Sequence, residues 1–299
     1  MPIAQNRFPS EGMPEPAFFQ NGEIEGYRDG KQAAYVYENA QGKFSLLQDW
    51  KHHELRRGYK ASVTFMDSAV QRVLASLDSL NLRENTWVVF HADHGYSLGE
   101  RGEWAKQNLF EEAARVPLII APPTGPAGQG FRTNATFAGI AELVDVFPTL
   151  VDLLGVPPGV VPPGQLEGDS LVGALRLRAG DEGGEETHGS AFTAAYTEIS
   201  RGDNVGPTSP PADGTIQGLS VRVPNWRLNA WVPFDFSKSS PLWGEWNESL
   251  LVELYNYPQD TGAFEDYDGM ELANLAFDPK YARVVQQLAG MARAQWPGE

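Results

Sequence analysis

A carboxylate and an imidazole stand side by side just after a short apolar run at residues 86–90. Such a run, without alternation, is typical of a strand buried on both faces of a parallel α/β sheet. Ligands of these sheets bind beyond the carboxyl ends of the strands, so Asp93 and His94 can face one cation there. The tripeptide Asp93-His94-Gly95 alone favours an N-capping aspartate beside a surface histidine over a metal site, and only its context favours the metal site.

A charged loop with several glycines continues from this turn. It contains Glu100, Arg101, Glu103 and Lys106, and this density of charge predicts that the loop lies outside the core. Lys106 is a flexible point charge that suits the oxygens of phosphate or sulfate. A solvated surface lysine is the open alternative, and the residue type alone does not decide between the two.

Composition limits the classes of partner. The 299 residues carry a net charge of -16, which argues against binding nucleic acid or an anionic membrane, since both are polyanions. There is no cysteine, so neither disulfides nor thiolate ligands occur in this chain. No apolar run is long enough for a membrane span, and residues 1–30 show no signal peptide.

The first part of the sequence predicts helices and strands of an α/β domain. Residues 1–50 are expected to form surface loop, and residues 51–80 one helix with an apolar stripe at spacings of three and four. His52, near the start of that helix, is expected at the surface. The further expected elements are a strand at 86–91, a strand at 116–121 and a helix at 141–154 that Pro148 kinks or restarts.

The second part predicts a smaller α+β unit. An acidic, glycine-rich stretch at 179–189 is typical of a linker, which divides the chain into domains at 1–178 and 190–299. Apolar strands expected to be antiparallel are followed by an amphipathic helix, and the tryptophans are expected in the core of this unit. The strands are expected at 191–199, 219–223, 227–232 and 251–255, and the helix at 282–294.

Three blocks in this order resemble the sulfatase family of the alkaline-phosphatase superfamily. They are GYKASVTFMDSAVQRVLASLDSL, WVVFHADHGYSLGERGEWAKQNLFEEAARVPLII and AELVDVFPTLVDLLGV. The run LGERGEWAK and the later segments GLSVRVPNWRLNAWVPFD and VELYNYPQD resemble most the iduronate-2-sulfatase branch. The likeness covers roughly residues 55–275 and implies an alkaline-phosphatase-like mixed or parallel sheet flanked by helices, followed by a small α+β domain with an antiparallel sheet.

The resemblance also implies an activity and a site. Sulfatases of this type hydrolyse sulfate esters, here of glycosaminoglycan-like sulfated sugars, and are lysosomal or secreted. Asp93 and His94 match two of the family's metal ligands, and Lys106 matches the lysine that contacts the sulfate. Tyr96 and Trp104 are expected to border the sugar-binding mouth. Calcium is the metal that the family implies, although an imidazole ligand is more usual for zinc.

The family's nucleophile is absent from this sequence. Sulfatases use a formylglycine made from Cys or Ser in a C/S-x-P-x-R motif, and the chain contains neither a cysteine nor an S-x-P-x-R motif. The chain is therefore expected to be the C-terminal part of a sulfatase, inactive without the N-terminal half of the catalytic domain. Two alternatives stay open: an inactive sugar-binding pseudoenzyme, and a phosphodiesterase or phosphonate hydrolase of the same superfamily.

Overall fold

The computed structural model describes most of the chain. The described residues are 4, 6–19, 22–40, 42–137, 139–162, 164–176, 193–201, 216–244, 251–258 and 269–298. The predicted linker at 179–189 and Trp246 lie outside these residues. Within them, no helix is both long and apolar enough to cross a membrane.

Short elements surround one long helix in the first part of the chain. The helices are α1 (Gly22–Glu25), α2 (Gly30–Ala33), α3 (Asp49–Ser79), α4 (Glu111–Ala114), α5 (Val146–Leu153) and α6 (Val172–Leu175). The strands are β1 (Ala34–Asn39), β2 (Gly42–Leu47), β3 (Val88–His91), β4 (Ser97–Leu98), β5 (Trp104–Ala105) and β6 (Leu118–Ala121). Three antiparallel pairs result: β1 with β2, β3 with β6, and β4 with β5.

The long periodic patterns predicted their elements correctly. α3 confirms the helix expected at 51–80, and β3 and β6 confirm the two strands. The helix expected at 141–154 is a 3₁₀ turn at Leu143–Asp145 followed by α5. Pro148 falls in the first turn of α5, where a missing N–H costs no helical hydrogen bond, so it marks a restart of the helix.

The surroundings of β3 differ from the prediction. It pairs antiparallel with β6, with Val89 opposite Ile120, and its residues are only half-buried or exposed. On β6, Ile119 is 56% exposed. A strand is buried on both faces only when helices or other layers cover both sides of its sheet. Among the described residues β3 has no such cover, so the expected burial on both faces is wrong here.

The apolar stripe of α3 likewise faces outward. Most of the helix beyond Arg57 is exposed. The exposed large apolar side chains on it include Val63, Phe65, Met66, Val73 and Leu74. An amphipathic helix normally buries such a stripe against a partner, and a group of exposed apolar side chains often marks a surface that another segment or chain covers.

The N-terminal segment is not the surface loop that was predicted. Met13, Ala17 and Phe18 are buried, and they pack in one cluster with Trp231 and Tyr255 from the C-terminal part. Backbone hydrogen bonds join the same regions, from Glu11 N to Leu272 O at 2.9 Å and from Asn274 N to Glu11 O at 2.7 Å. Proline and glycine made this segment look like loop, but its scattered apolar side chains belong to the core.

The C-terminal part contains an antiparallel sheet, as predicted, but with five strands where four were expected. Its strands are β7 (Ala195–Arg201), β8 (Ile216–Val223), β9 (Trp226–Asp235), β10 (Ser240–Pro241) and β11 (Leu251–Asn256). β8 pairs with β7 and β9, and β9 also pairs with β10 and β11. Helix α7 (Ala282–Gln295) packs Val285, Leu288 and Ala292 into the same apolar cluster as β8, β9 and β11. Trp231 and Trp243 are buried, which confirms their predicted place in the core.

Buried ion pairs join the two parts of the chain. Glu111, at the start of α4, pairs with Arg227 of β9 and accepts a 2.8 Å hydrogen bond from Arg222 Nε of β8. Glu271 lies 3.5 Å from Arg101 Nη1 and 3.8 Å from Arg227 Nε. These five residues, all buried, are called the charge junction below. Because the partners come from distant segments, the junction forms only when the whole chain is folded.

We expect Arg227→Met to lower the free energy of unfolding by roughly 3 kcal/mol or more, because losing one partner leaves buried carboxylates undercompensated. Urea denaturation followed by circular dichroism measures the change. The matched control is Lys43→Met: Lys43 lies 3.7 Å from Glu38 and both side chains are about two-thirds exposed. Its change should stay below roughly 1 kcal/mol. Equal effects of the two substitutions would contradict the role given to the junction.

Candidate active site

One large cavity collects three of the residues singled out in the sequence. It has a volume of about 1310 Å³, and Asp93, His94 and Lys106 all line it. Asp93 and His94 stand in the turn after β3, and Lys106 directly follows β5. The antiparallel pairing of β4 with β5 folds the chain back on itself, which brings the lysine to the same cavity as the turn.

The turn itself depends on Gly95. A Cβ atom on Gly95 would lie 1.9 Å from the backbone oxygen of Glu112, so only glycine fits without a backbone shift. Gly95 N also donates a 2.8 Å hydrogen bond to Ala113 O. The turn is therefore packed directly against α4, which places the aspartate and the histidine relative to the cavity wall.

Asp93 and His94 present one oxygen and one nitrogen to the same space. Asp93 Oδ2 lies 3.7 Å from His94 Nε2, and Asp93 Oδ1 accepts a 3.0 Å hydrogen bond from His94 N. His94 Nδ1 lies 2.8 Å from Gly95 O. When Nδ1 carries the proton and donates it to that carbonyl, Nε2 keeps its lone pair for a ligand, as in many metal-binding histidines.

This pair fits part of a metal site. Two donors 3.7 Å apart can both lie at roughly 2.3–2.6 Å from one cation of the size of calcium. The side chains are open to solvent, with 86% of Asp93 and 40% of His94 exposed. Across the described residues there is no cluster of three or more His, Cys, Asp or Glu that could hold a metal by itself. Further ligands would have to come from elsewhere.

Lys106 reaches the cavity from a constrained piece of backbone. Ala105, just before it, has a φ of 68°, in the left-handed region that residues with a Cβ rarely adopt. Lys106 Nζ lies 3.6 Å from Oε2 of Glu23 on α1. Its side chain is 36% exposed, so the ammonium is both paired and accessible to an anion. This position is compatible with the anion-binding role expected from the sequence.

The two aromatic residues expected at the mouth differ in their surroundings. Tyr96 is half-buried, stacks on Tyr59 at a ring distance of 5.5 Å and lies with its hydroxyl 3.4 Å from that of Tyr27. Burial raises the pKa of the Tyr96 hydroxyl. Trp104 is fully buried and meets the ring of His52 edge-on at 4.9 Å. Neither residue lines the cavity, and the expectation that Trp104 borders a mouth is wrong, because its ring fills the core.

The charged loop is also core, contrary to the sequence-based expectation. Glu100, Arg101 and Glu103 are buried, and Arg101 is held by ion pairs with Glu112 and Glu271. His52 is buried as well, where a surface position was expected, and burial lowers its pKa to about 4. Loop composition predicts exposure only when the charges lack partners, and here the partners come from other segments of the chain.

Sequence analysis missed the basic residues of the cavity wall. Arg222 and Arg227 line the cavity and both contact Glu111, which lines it too. Burial alone would raise the pKa of the Glu111 carboxyl, but Arg227 and Arg222 together lower it to about 2. One signal was available: an arginine inside an apolar strand, as in Val221-Arg222-Val223, is unusual unless it is paired. The further arginines of the lining are Arg83, Arg115 and Arg132.

Comparison with known proteins places this site in a family context. Residues 14–156 match the family described as Sulfatase. Over 268 residues the chain is 30% identical to the iduronate 2-sulfatase of Mus musculus, covering 79% of this chain and 46% of that protein. Over 151 residues it is 32% identical to an N-acetylglucosamine-6-O-sulfatase of Bacteroides thetaiotaomicron, covering 50% of this chain and 25% of that protein. The chain thus spans about half the length, or less, of these relatives.

Solved structures share the fold. One, of a protein in complex with its substrate D-glucosamine-2-N,6-O-disulfate, aligns with a TM-score of 0.59 and 25% identity, covering 82% of this chain and 41% of that one. The phosphonate monoester hydrolase of Silicibacter pomeroyi aligns with a TM-score of 0.53 and 23% identity, covering 77% of this chain and 38% of that one. This likeness shows the fold alone. Together they confirm the mixed α/β class predicted from the sequence.

A second prediction concerns Glu103. Burial raises the pKa of its carboxyl to about 8, against 4.5 for an exposed glutamate. Between pH 4.5 and pH 8 the Glu103 carboxyl keeps its proton in the folded chain but has lost it in the unfolded chain. The free energy of unfolding should therefore fall as pH rises through this range. Burial also raises the pKa of Glu271, but only to about 7. The window from pH 7 to 8 therefore reports mainly on Glu103, with a loss of about 1 kcal/mol.

Urea denaturation at pH 5, 6, 7 and 8 measures the slope of the free energy of unfolding against pH. Glu103→Gln should flatten it above pH 7, whereas Glu38→Gln, on the exposed face of β1, should leave it unchanged. A wild-type chain whose free energy of unfolding does not fall between pH 7 and 8 would show that Glu103 is ionised in the folded protein.

Proposed function

We propose that this chain, whose residues 14–156 match the family described as Sulfatase, contributes one half of the active site of an enzyme that hydrolyses sulfate esters. The observation that carries the proposal is the common cavity of Asp93, His94 and Lys106. A carboxylate, an imidazole and an ammonium at one cavity form a set that can hold a cation and an anionic ester side by side.

Each of the three side chains has a distinct proposed role. Asp93 and His94 would hold the metal ion, for which the family resemblance favours calcium over zinc. The bound cation would neutralise negative charge on the sulfate oxygens. Lys106 donates its ammonium protons to a sulfate oxygen and stabilises charge that develops on the leaving oxygen. Fixed donors of this kind act strongly because they need no reorganisation during the reaction.

The nucleophile of the proposed enzyme lies outside these 299 residues. The chain has no cysteine and no S-x-P-x-R motif from which formylglycine could form. Two metal donors are also fewer than the six to eight oxygen ligands that calcium usually takes. The proposal is therefore that the remaining ligands and the nucleophile come from the N-terminal half of the catalytic domain, and that this chain alone is inactive.

The proposed substrate is a sulfated sugar. Two relatives are named iduronate 2-sulfatase, with 30% identity each, and one solved structure contains a disulfated glucosamine as substrate. A sulfated uronate of the iduronate-2-sulfate type is the first substrate to test. A lysosomal or secreted location remains a prediction from the family resemblance.

A phosphodiesterase or phosphonate hydrolase activity, which the sequence resemblance to the alkaline-phosphatase superfamily left open, is the second activity to test. The same cation and lysine could bind a phosphonate ester, since both esters present anionic oxygens in a tetrahedral arrangement. A paired assay with an aryl sulfate and an aryl phosphonate ester separates the two activities.

The decisive experiment uses the chain extended by the rest of its catalytic domain and produced together with formylglycine-generating enzyme and calcium. We expect sulfate release from the sulfated uronate or the aryl sulfate. Asp93→Ala should remove it nearly completely, and Lys106→Ala should lower kcat by roughly 100-fold or more, as loss of one charge-stabilising donor does elsewhere. Removal of the metal by a chelator should abolish activity until calcium is added back.

The matched controls remove the same charges at exposed positions, with Asp152→Ala against Asp93→Ala and Lys31→Ala against Lys106→Ala. Both should retain wild-type kcat and KM. Sulfate release that survives Asp93→Ala would remove this residue from the proposed metal site. Hydrolysis of the phosphonate ester alone would favour the second activity, and binding of a sulfated sugar without hydrolysis would favour a sugar-binding protein.

The exposed face of α3 gives independent support to the proposal that this chain is one part of a larger catalytic domain. We propose that the remaining part of the sulfatase domain covers this helix and the open faces of β3 and β6. The apolar stripe of α3 is exposed although its spacing is that of a buried helix. The chain also spans only 46% of the length of its iduronate 2-sulfatase relatives, which leaves more than enough polypeptide for such a cover.

This part of the proposal predicts the behaviour of the isolated chain. It should bind the dye anilinonaphthalene sulfonate, and the double substitution Phe65→Ser with Val73→Ser should reduce the dye fluorescence substantially, because both side chains are exposed on α3. Val36→Ser, at another exposed apolar position on β1, is the control and should change it little. Equal reductions would mean that α3 is not the open apolar surface.

A further inference from the structure

The N-terminal segment brings a carboxylate to the lysine of the proposed sulfate site. Glu23 Oε2, on α1, lies 3.6 Å from Lys106 Nζ. Lys106 lines the cavity whereas Glu23 does not, so the carboxylate approaches the ammonium from beside the cavity. The side chains are 36% and 28% exposed, so solvent screens the pair only in part. No sequence pattern joins these two residues, which are far apart in the chain.

Glu23 is fixed in place by a chain of contacts. Its second oxygen, Oε1, accepts a 2.7 Å hydrogen bond from the hydroxyl of Tyr27. That hydroxyl lies 3.4 Å from the hydroxyl of Tyr96, and the ring of Tyr96 stacks on Tyr59 of α3. The carboxylate is thereby linked to the turn after β3 and to the long helix. A carboxylate held in this way stays beside the ammonium.

We propose that Glu23 sets the anion affinity of the cavity by pairing with Lys106, and that a sulfate ester binds by displacing this carboxylate from the ammonium. The inference rests on the proposed function, since it takes Lys106 as a sulfate ligand. A carboxylate and a sulfate are both acceptors for the same few N–H donors, and they repel each other. Glu23 therefore makes the cavity selective for anions that bind other groups of the cavity as well as Lys106.

The test measures sulfate binding directly on the 299-residue chain, without catalysis. Lysines are labelled with ¹³C at Cε, the Lys106 signal is assigned with Lys106→Arg, and sodium sulfate is titrated at constant ionic strength. Glu23→Gln should lower the sulfate concentration at the midpoint roughly two- to fivefold, the size expected of a partly exposed ion pair. Tyr27→Phe, which frees Glu23 Oε1, should lower it by a smaller factor.

Glu25→Gln is the matched control, because it removes the same charge from the same short helix and should leave the midpoint unchanged. Circular dichroism of each variant verifies that the fold is retained. If Glu23→Gln and Glu25→Gln behave alike, the effect is one of net charge and the inference is wrong, while the proposed function stands. If sulfate moves the Lys106 signal in no variant, Lys106 is not an anion ligand in this chain and the inference is wrong; the proposed function is then decided by sulfate release from the extended protein.

Discussion

The charge junction is the constraint on which the rest of the structure depends. Glu111 and Glu271 are buried among arginines that come from the loop before α4 and from β8 and β9. Charges inside a protein are tolerable only when they are paired, so this arrangement ties the first part of the chain to the antiparallel sheet in one register. Glu111, Arg222 and Arg227 also line the cavity, so one set of contacts both joins the fold and builds the site wall.

The regular elements were predictable where a pattern is long and its consequence local. The stripe of α3 and the apolar strands β8 and β9 fix secondary structure through spacing alone. Burial was not predictable in the same way. Arg101 and Glu103 look like surface residues until partners from residues 112, 201 and 271 are known. The stripe of α3 looks like core, but what would cover it is not among the described residues. In each case the environment depends on distant polypeptide.

In the candidate site, too, the sequence predicted only the residues that lie in one continuous motif. Asp93, His94 and Lys106 were found from residue type and family resemblance, because they stand in one continuous motif. Glu23, Arg222 and Arg227 reach the same region from other segments, and only the three-dimensional structure brings them there. Trp104 shows the opposite error: it belongs to the motif, yet its ring packs against His52 in the core. Membership of a motif fixes the position of a residue along the chain, and not which way its side chain faces.

The charge of the cavity lining is opposite in sign to the net charge of the whole chain. The net charge is -16, so the chain as a whole repels anions. That repulsion is screened over roughly 8 Å at physiological ionic strength, whereas groups inside a cavity act at shorter range and with less screening. Among the lining residues the basic side chains, Lys106 and five arginines, outnumber the acidic ones, and Glu111 pairs with three of those arginines. An anion small enough to enter therefore meets a locally basic surface, while an extended polyanion must also pass the acidic exterior. This difference favours small anions over extended polyanions at the cavity.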